Sequence, residues 1–167
     1  KNIPEKESVK LYMIISGGSK KEVDLLEQEV NNQFDVPQIR LFSEIPYELL
    51  VHLYVNAIAL LIPLRPTTQD EARFPHKIGE YLASGRPMIT TAYGEINHYD
   101  FIDGETALVA AHYNIESFAE KMRCILEYPQ KSKEIGVKGR QMGLDNFDYS
   151  KHGQKLVNFL ITLERKK

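Results

Sequence analysis

The sequence has a single cysteine, Cys124, among its 167 residues. One cysteine excludes an internal disulfide and any metal site built from several cysteines. A large excess of charge of one sign is also missing, because 21 basic and 23 acidic residues leave a formal net charge of -2. The chain therefore has no overall field that would attract nucleic acid or an anionic membrane. No apolar run could span a bilayer and no signal peptide begins the sequence, so we expect a cytoplasmic protein.

The composition suits one folded domain. With 43% hydrophobic and 26% charged residues, 167 residues can bury a substantial core but are too few for two comfortable domains. We therefore predict a single domain over residues 1–167. The sequence begins at Lys1 and reaches a strand-like run almost at once, so we expect it to be a piece of a longer protein.

Short apolar runs alternate with amphipathic segments along the first two thirds of the chain. Residues 11–16 (LYMIIS) and 57–64 (AIALLIPL) are nearly continuous apolar runs, typical of strands buried on both faces. Ser19 and Glu22 have capping-box spacing, which predicts a helix after the first strand. The predicted strands are 11–16, 39–45, 57–64, 88–92 and 107–111, and Asn114 caps the first of three final helices. This order predicts an α/β fold with a doubly wound parallel sheet.

In such a sheet, ligands bind where the carboxyl ends of the strands lead into helices. Gly17 and Gly18 follow the first strand and would let a ligand approach the backbone, although an ordinary tight turn is the simpler explanation of them. Residues 65–73 form a long polar loop after the third strand, and four basic side chains lie in residues 65–77 beside Asp70 and Glu71. The loop suits a diphosphate, and it also suits a solvated segment whose charges pair with one another.

The helix predicted over residues 75–84 has two distinct stripes. Ile78, Tyr81 and Leu82 lie on one stripe that can pack on the sheet, while Lys77 and Glu80 lie on the neighbouring stripe. A carboxylate at Glu80 can accept hydrogen bonds from the two hydroxyls of a ribose. The alternative role for Glu80 is an ion pair with Lys77.

Residues 74–87 (FPHKIGEYLASGRP) resemble the donor-site helix of family 4 glycosyltransferases. In that family a glutamate, a small residue, a glycine and a proline precede a strand, and Glu80, Ala83, Gly85 and Pro87 keep this spacing. A polysaccharide-biosynthesis subgroup matches residues 75–83 nearly letter for letter. The resemblance covers most of the chain and implies the C-terminal, donor-binding lobe of a GT-B fold, Rossmann-like and lacking its first strand and helix.

The resemblance also implies site residues. Glu80 would bind the ribose of the donor nucleotide, and the base would lie near residues 42–47. The family's sugar-contacting acid corresponds to Ala72 here, so Glu71 is the better candidate for the catalytic acidic group and Asp70 the second. The residues implied to bind the nucleotide sugar are Glu80, Lys77, Pro75, Phe74, His76, Arg73, Gly17, Gly18 and Ile45.

The implied activity of the intact protein is retaining transfer of a sugar from a nucleoside diphosphate donor to a glycan or lipid-linked acceptor, in cell-surface polysaccharide biosynthesis. UDP is favoured over GDP because UDP donors are frequent in the family. No metal or other cofactor is expected, and the five histidines show no ligand spacing. The implied partners are the donor and an N-terminal acceptor lobe that contacts the inner face of the membrane, with no nucleic acid. The chain by itself is expected to be inactive.

Two other functions fit parts of the pattern. A sugar-nucleotide epimerase uses the same two-lobed architecture, although this segment has no paired acid and base for epimerisation. A donor lobe without catalysis, acting as an interaction module, would be compatible with Ala72 at the position of the family's acid.

Overall fold

The computed structural model describes residues 9–15, 18–34, 39–72 and 74–164. The chain divides into two compact units, Lys1–Leu53 and Tyr54–Lys167. None of the described helices is long and apolar enough to cross a membrane. That residues 1–167 form a single domain stays a prediction.

The amino-terminal unit begins with a strand-helix-strand sequence. Strand β1 (Leu11–Ile15) is followed by helix α1 (Lys20–Phe34) and strand β2 (Ile39–Ser43). The two strands pair in parallel, with Leu11 opposite Ile39. Helix α2 (Tyr47–Asn56) comes next.

The predicted capping box at the start of α1 is confirmed. The Glu22 carboxylate accepts a hydrogen bond from the Ser19 N–H at 2.7 Å, and Ser19 Oγ accepts one from the Glu22 N–H at 3.4 Å. The bonds from the Ser19 N–H and hydroxyl hold the pKa of Glu22 below its ordinary value. The ionised side chain thus satisfies an N–H at the helix start that no helical carbonyl can reach.

The prediction that residues 11–16 form a strand buried on both faces is wrong for the described part of that run. Tyr12 and Met13 are 48% and 44% exposed, and Tyr12 packs against the ring of Phe42 on β2 at 5.5 Å. The buried apolar residues of this unit are Val23 of α1 and Leu41 of β2. Two strands and the helix that packs on β2 offer too little apolar surface to bury both faces of β1.

The carboxyl-terminal unit contains a three-stranded parallel sheet in the order β3-β4-β5. Its strands are β3 (Leu60–Ile62), β4 (Met88–Thr91) and β5 (Leu108–Ala110). The remaining elements are α3 (Thr68–Ala72), α4 (Lys77–Ala83), a 3₁₀ helix (Gly94–His98), α5 (Ile115–Glu127), α6 (Pro129–Asn146) and α7 (Tyr149–Glu164). Asn114 caps α5 as predicted, since its side chain accepts the Ser117 N–H at 2.7 Å.

Both faces of this sheet are covered. Adjacent residues of a strand point to opposite faces, and Met88 and Ile89 on β4 are both buried. Met88 packs in a cluster with residues of α4 and α6, whereas Ile89 packs in a second cluster that includes Ile125 of α5. Parallel strands with helices on both faces confirm the predicted α/β fold class.

Helix α6 approaches α4 and the turn after it at backbone distance. A Cβ atom at Gly136 would collide with the carbonyl oxygen of Gly85 and lie 2.9 Å from the nitrogen of Pro87. A Cβ atom at Gly143 would lie 2.8 Å from Cβ of Leu82. The glycines therefore set how closely α6 packs on the helix that carries Glu80.

We expect Gly136→Ala to lower the free energy of unfolding by about 1–3 kcal/mol, because the added methyl group overpacks this contact. Gly153→Ala in α7 is the matched control, since nothing lies within 4 Å of a Cβ atom there. Alanine favours helix over glycine by about 1 kcal/mol, so the control should equal or exceed the wild type in stability. Urea unfolding followed by circular dichroism measures both variants, and equal stability of the two would contradict the packing account.

Candidate functional site

Buried hydrogen bonds hold the carboxyl end of β3 against β4. Thr91 Oγ1 accepts the Leu64 N–H at 3.0 Å and donates to the Leu64 carbonyl oxygen at 2.9 Å. On the neighbouring residue, Thr90 Oγ1 donates to the Ile62 carbonyl oxygen at 3.1 Å. These bonds extend the association of the strands beyond Ile62 and fix the point where the following loop begins.

The prediction of a polar loop over residues 65–73 is wrong in part, because the segment contains α3. Thr67 Oγ1 accepts the Asp70 N–H at 3.2 Å, and the Asp70 carboxylate accepts the Arg65 N–H at 3.0 Å. The first bond satisfies a donor in the opening turn of a helix. A threonine followed three residues later by aspartate is a capping signal, so the sequence did contain the information.

The two candidate acids on α3 have different surroundings. Asp70 is only 7% exposed and is held by the Arg65 backbone, whereas Glu71 is exposed. Glu71 Oε2 accepts a long hydrogen bond of 3.4 Å from the Tyr93 hydroxyl. The Asp70 carboxylate therefore stabilises the loop, and the Glu71 carboxylate is accessible to a ligand.

Two further side chains lie at the same edge of the sheet. Tyr93 follows β4 and His112 follows β5, and their rings stack with centroids 4.7 Å apart and an interplanar angle of 22°. Burial and the negative charge of Glu71 raise the pKa of the Tyr93 hydroxyl, and the protonated hydroxyl is the form that donates to Glu71. Neither residue is among the predicted site residues, although each follows a predicted strand closely.

Helix α4 starts close to its predicted boundary. Its first residue is Lys77, and His76 stands at the N-cap without a side-chain capping bond. The Pro75 carbonyl oxygen accepts the Ile78 N–H at 3.0 Å, so a tight turn begins at the proline. Differences of one or two residues at a helix end are ordinary.

The two predicted stripes of α4 are confirmed. Ile78 and Leu82 are 0% and 1% exposed, and Tyr81 is half-buried. Lys77 and Glu80 are exposed, and no ion pair joins them within the part of the chain that the structure describes. The Glu80 carboxylate is therefore open to solvent on a helix whose other side is locked into the core.

Phe74 anchors the segment that leads into α4. Its ring lies 5.2 Å from that of Tyr99 and 5.1 Å from that of Phe147. The three rings form a cluster, since Tyr99 also lies 5.0 Å from Phe147. The cluster brings together residues far apart in sequence, which local patterns do not reveal.

Four predicted site residues remain, and the structure describes two of them. Gly18, with a φ of +85°, and Ile45 belong to the amino-terminal unit, and Gly17 and Arg73 lie outside the described residues. The amino-terminal unit has an open cavity of about 590 Å³, lined in part by residues 42–44 from the segment predicted to hold the base. Across the described residues, no three His, Cys, Asp or Glu side chains are placed to hold a metal ion.

Comparison with known proteins finds a family that matches most of the chain. The family described as "Glycosyl transferases group 1" matches residues 1–142. Trehalose synthase from Pyrococcus horikoshii is 31% identical over 86 residues, which are 52% of this chain and 20% of that protein.

Solved structures show the same fold. The sucrose-phosphate synthase of Thermosynechococcus elongatus has a TM-score of 0.73 and 19% identity, over 92% of this chain and 39% of that chain. The Anabaena protein HepE in complex with UDP-glucose has a TM-score of 0.69 and 16% identity, over 95% of this chain and 42% of that chain. The chain thus spans about two-fifths of the length of these structures.

We expect Asp70→Asn to reduce the free energy of unfolding by about 1–3 kcal/mol, because a neutral amide oxygen accepts the Arg65 N–H less strongly than a carboxylate and the added NH2 group is buried. Glu71→Gln, one residue along the same helix, is the control and should stay within about 0.5 kcal/mol of the wild type. Urea unfolding distinguishes them. A larger loss in Glu71→Gln would show that the acids have been assigned the wrong way round.

Proposed function

Because the chain belongs to the group 1 glycosyl transferase family, we propose that it binds the nucleoside diphosphate part of a sugar donor through α4 and the residues that precede it. The observation that carries the proposal is the exposed carboxylate of Glu80 on a helix whose opposite face is buried. A helix held by Ile78 and Leu82 keeps the outward carboxylate in a defined place.

The chemistry of α4 suits this ligand. The Glu80 carboxylate accepts hydrogen bonds from both ribose hydroxyls, which a neutral side chain would do less strongly. The Lys77 ammonium group supplies positive charge for the diphosphate, and the first N–H groups of the helix have no helical partner. Pro75 contributes no N–H, so Phe74, His76 and Lys77 contribute the backbone donors in this proposal.

The proposed donor is a UDP-sugar. Structures of the Anabaena protein HepE are complexes with UDP, with UDP-glucose, and with UDP and glucose, and their fold matches this chain with TM-scores of 0.69 to 0.70. The family resemblance also predicts donor contacts in the amino-terminal unit. They are Gly18 and residues 42–47, which include Ile45.

The proposed reaction of the whole protein is transfer of the donor sugar to an acceptor hydroxyl with retention of configuration. Negative charge develops on the departing diphosphate, and cationic and N–H groups placed there in advance stabilise it. Glu71 is proposed to contact the sugar, since it is exposed where Asp70 is buried. No metal or other cofactor enters this scheme.

Acceptor binding and sugar transfer are proposed for the whole protein and not for this chain alone. This chain spans about two-fifths of the solved structures that it matches. We attribute the acceptor site to a further lobe and expect the 167 residues by themselves to transfer little sugar. A cytoplasmic location, contact with the membrane through that lobe, and a role in polysaccharide biosynthesis belong to the same proposal.

Calorimetric titration with UDP tests the ribose contact. We expect Glu80→Ala to weaken UDP binding by about 2 kcal/mol, roughly 30-fold, because two hydrogen bonds to a charged acceptor are lost. Glu120→Ala, an exposed glutamate on α5, is the control and should bind as the wild type does.

Unchanged affinity in Glu80→Ala would refute ribose binding by this residue. A folded chain that binds none of UDP, GDP and ADP would instead favour a non-catalytic interaction module. Interconversion of a sugar nucleotide with its epimer by the whole protein would favour an epimerase.

A further inference from the structure

The corner that follows β4 touches α3 through backbone atoms. Gly94 has a φ of +60°, and a Cβ atom there would lie 2.6 Å from the Asp70 carbonyl oxygen and 3.3 Å from Cα of Glu71. No side chain fits between the two segments. The backbone of α3 therefore rests directly on Gly94.

Helix α3 depends on such support because it has only five residues. A helix of this length does not hold together by its own hydrogen bonds in water. Its place is set by the loop bonds of Asp70 at one side and by the contact with Gly94 at the other. The direction in which Glu71 points follows from the place of α3.

Tyr93 restrains the Glu71 side chain itself. Its hydroxyl donates to Glu71 Oε2 at 3.4 Å, and its ring is backed by the stacked ring of His112. Fixing a glutamate side chain costs rotamer entropy, and a partner that restrains it beforehand lowers that cost when a ligand binds.

We propose that Tyr93 and Gly94 are positioning residues, which hold Glu71 where it contacts the sugar of the donor. This inference rests on the proposed function and adds to it the residues that orient the sugar-contacting acid. Neither residue needs to touch the nucleotide. Their substitution should therefore affect binding of the sugar part alone.

The test compares UDP-glucose with UDP by calorimetric titration of the 167-residue chain. We expect Gly94→Ala to lose about tenfold in UDP-glucose affinity at unchanged UDP affinity. Gly104→Ala is the matched control, because Gly104 has a φ of +75° and nothing within 4 Å of a Cβ atom. Both variants bear the same backbone strain, and only Gly94→Ala displaces α3.

A second pair of variants tests the hydroxyl without changing the backbone. Tyr93→Phe should lose a few-fold in UDP-glucose affinity and none in UDP affinity. Tyr149→Phe, at a tyrosine that is 88% exposed, should bind both ligands as the wild type does. Hydrogen exchange of residues 68–72 should be faster in Gly94→Ala and unchanged in Gly104→Ala.

An unchanged ratio of UDP-glucose affinity to UDP affinity in both Gly94→Ala and Tyr93→Phe overturns the inference. If Glu80→Ala still weakens UDP binding in that case, the proposed function stands without it. Equal loss of UDP and UDP-glucose affinity in Gly94→Ala also overturns the inference, because the substitution then disturbs the nucleotide contacts and not the sugar contact alone. Absence of nucleotide binding in the wild type overturns the inference and the proposed function together.

Discussion

The candidate site depends first on the paired hydrogen bonds between Thr91 and Leu64 at the carboxyl end of β3. They lie in the core, where an unpaired hydroxyl or amide would be costly, so the end of β3 has one stable place. The chain leaves the sheet at Arg65, whose N–H binds the Asp70 carboxylate and so orients α3. The position of Glu71 thus depends on contacts that begin where the end of β3 pairs with β4.

Helix α4 contributes residues both to the core and to the candidate site. Ile78 and Leu82 are buried, α6 comes within backbone distance of the turn after the helix, and Phe74 is held among aromatic rings. Only a narrow exposed stripe with Lys77 and Glu80 is left for a ligand. Because one side of α4 is packed so closely, the other side can present charged groups without moving, which a binding site requires.

Local patterns predicted the elements that depend on neighbouring residues. The Ser19 and Asn114 caps, the alternation of strands and helices and the two stripes of α4 all come from spacings of a few residues. Predictions failed where burial depends on distant partners, as at Tyr12 and Met13, which are exposed although they lie in an apolar run. Helix α3 is not predicted by composition, because its polar residues are typical of a loop, and only the capping spacing of Thr67 and Asp70 indicates a helix start.

The sequence by itself determined the family, through the resemblance of residues 74–87 to a known motif. It also determined the α/β class and the place of Glu80 on a helix face, because these follow from the periodicity of apolar residues. Only the tertiary structure separated buried Asp70 from exposed Glu71, since burial depends on which segments meet in space. It alone brought Tyr93, Gly94 and His112 to the same edge as α3. Residues from three strand ends meet there through sheet pairing, and no spacing along the chain encodes that meeting.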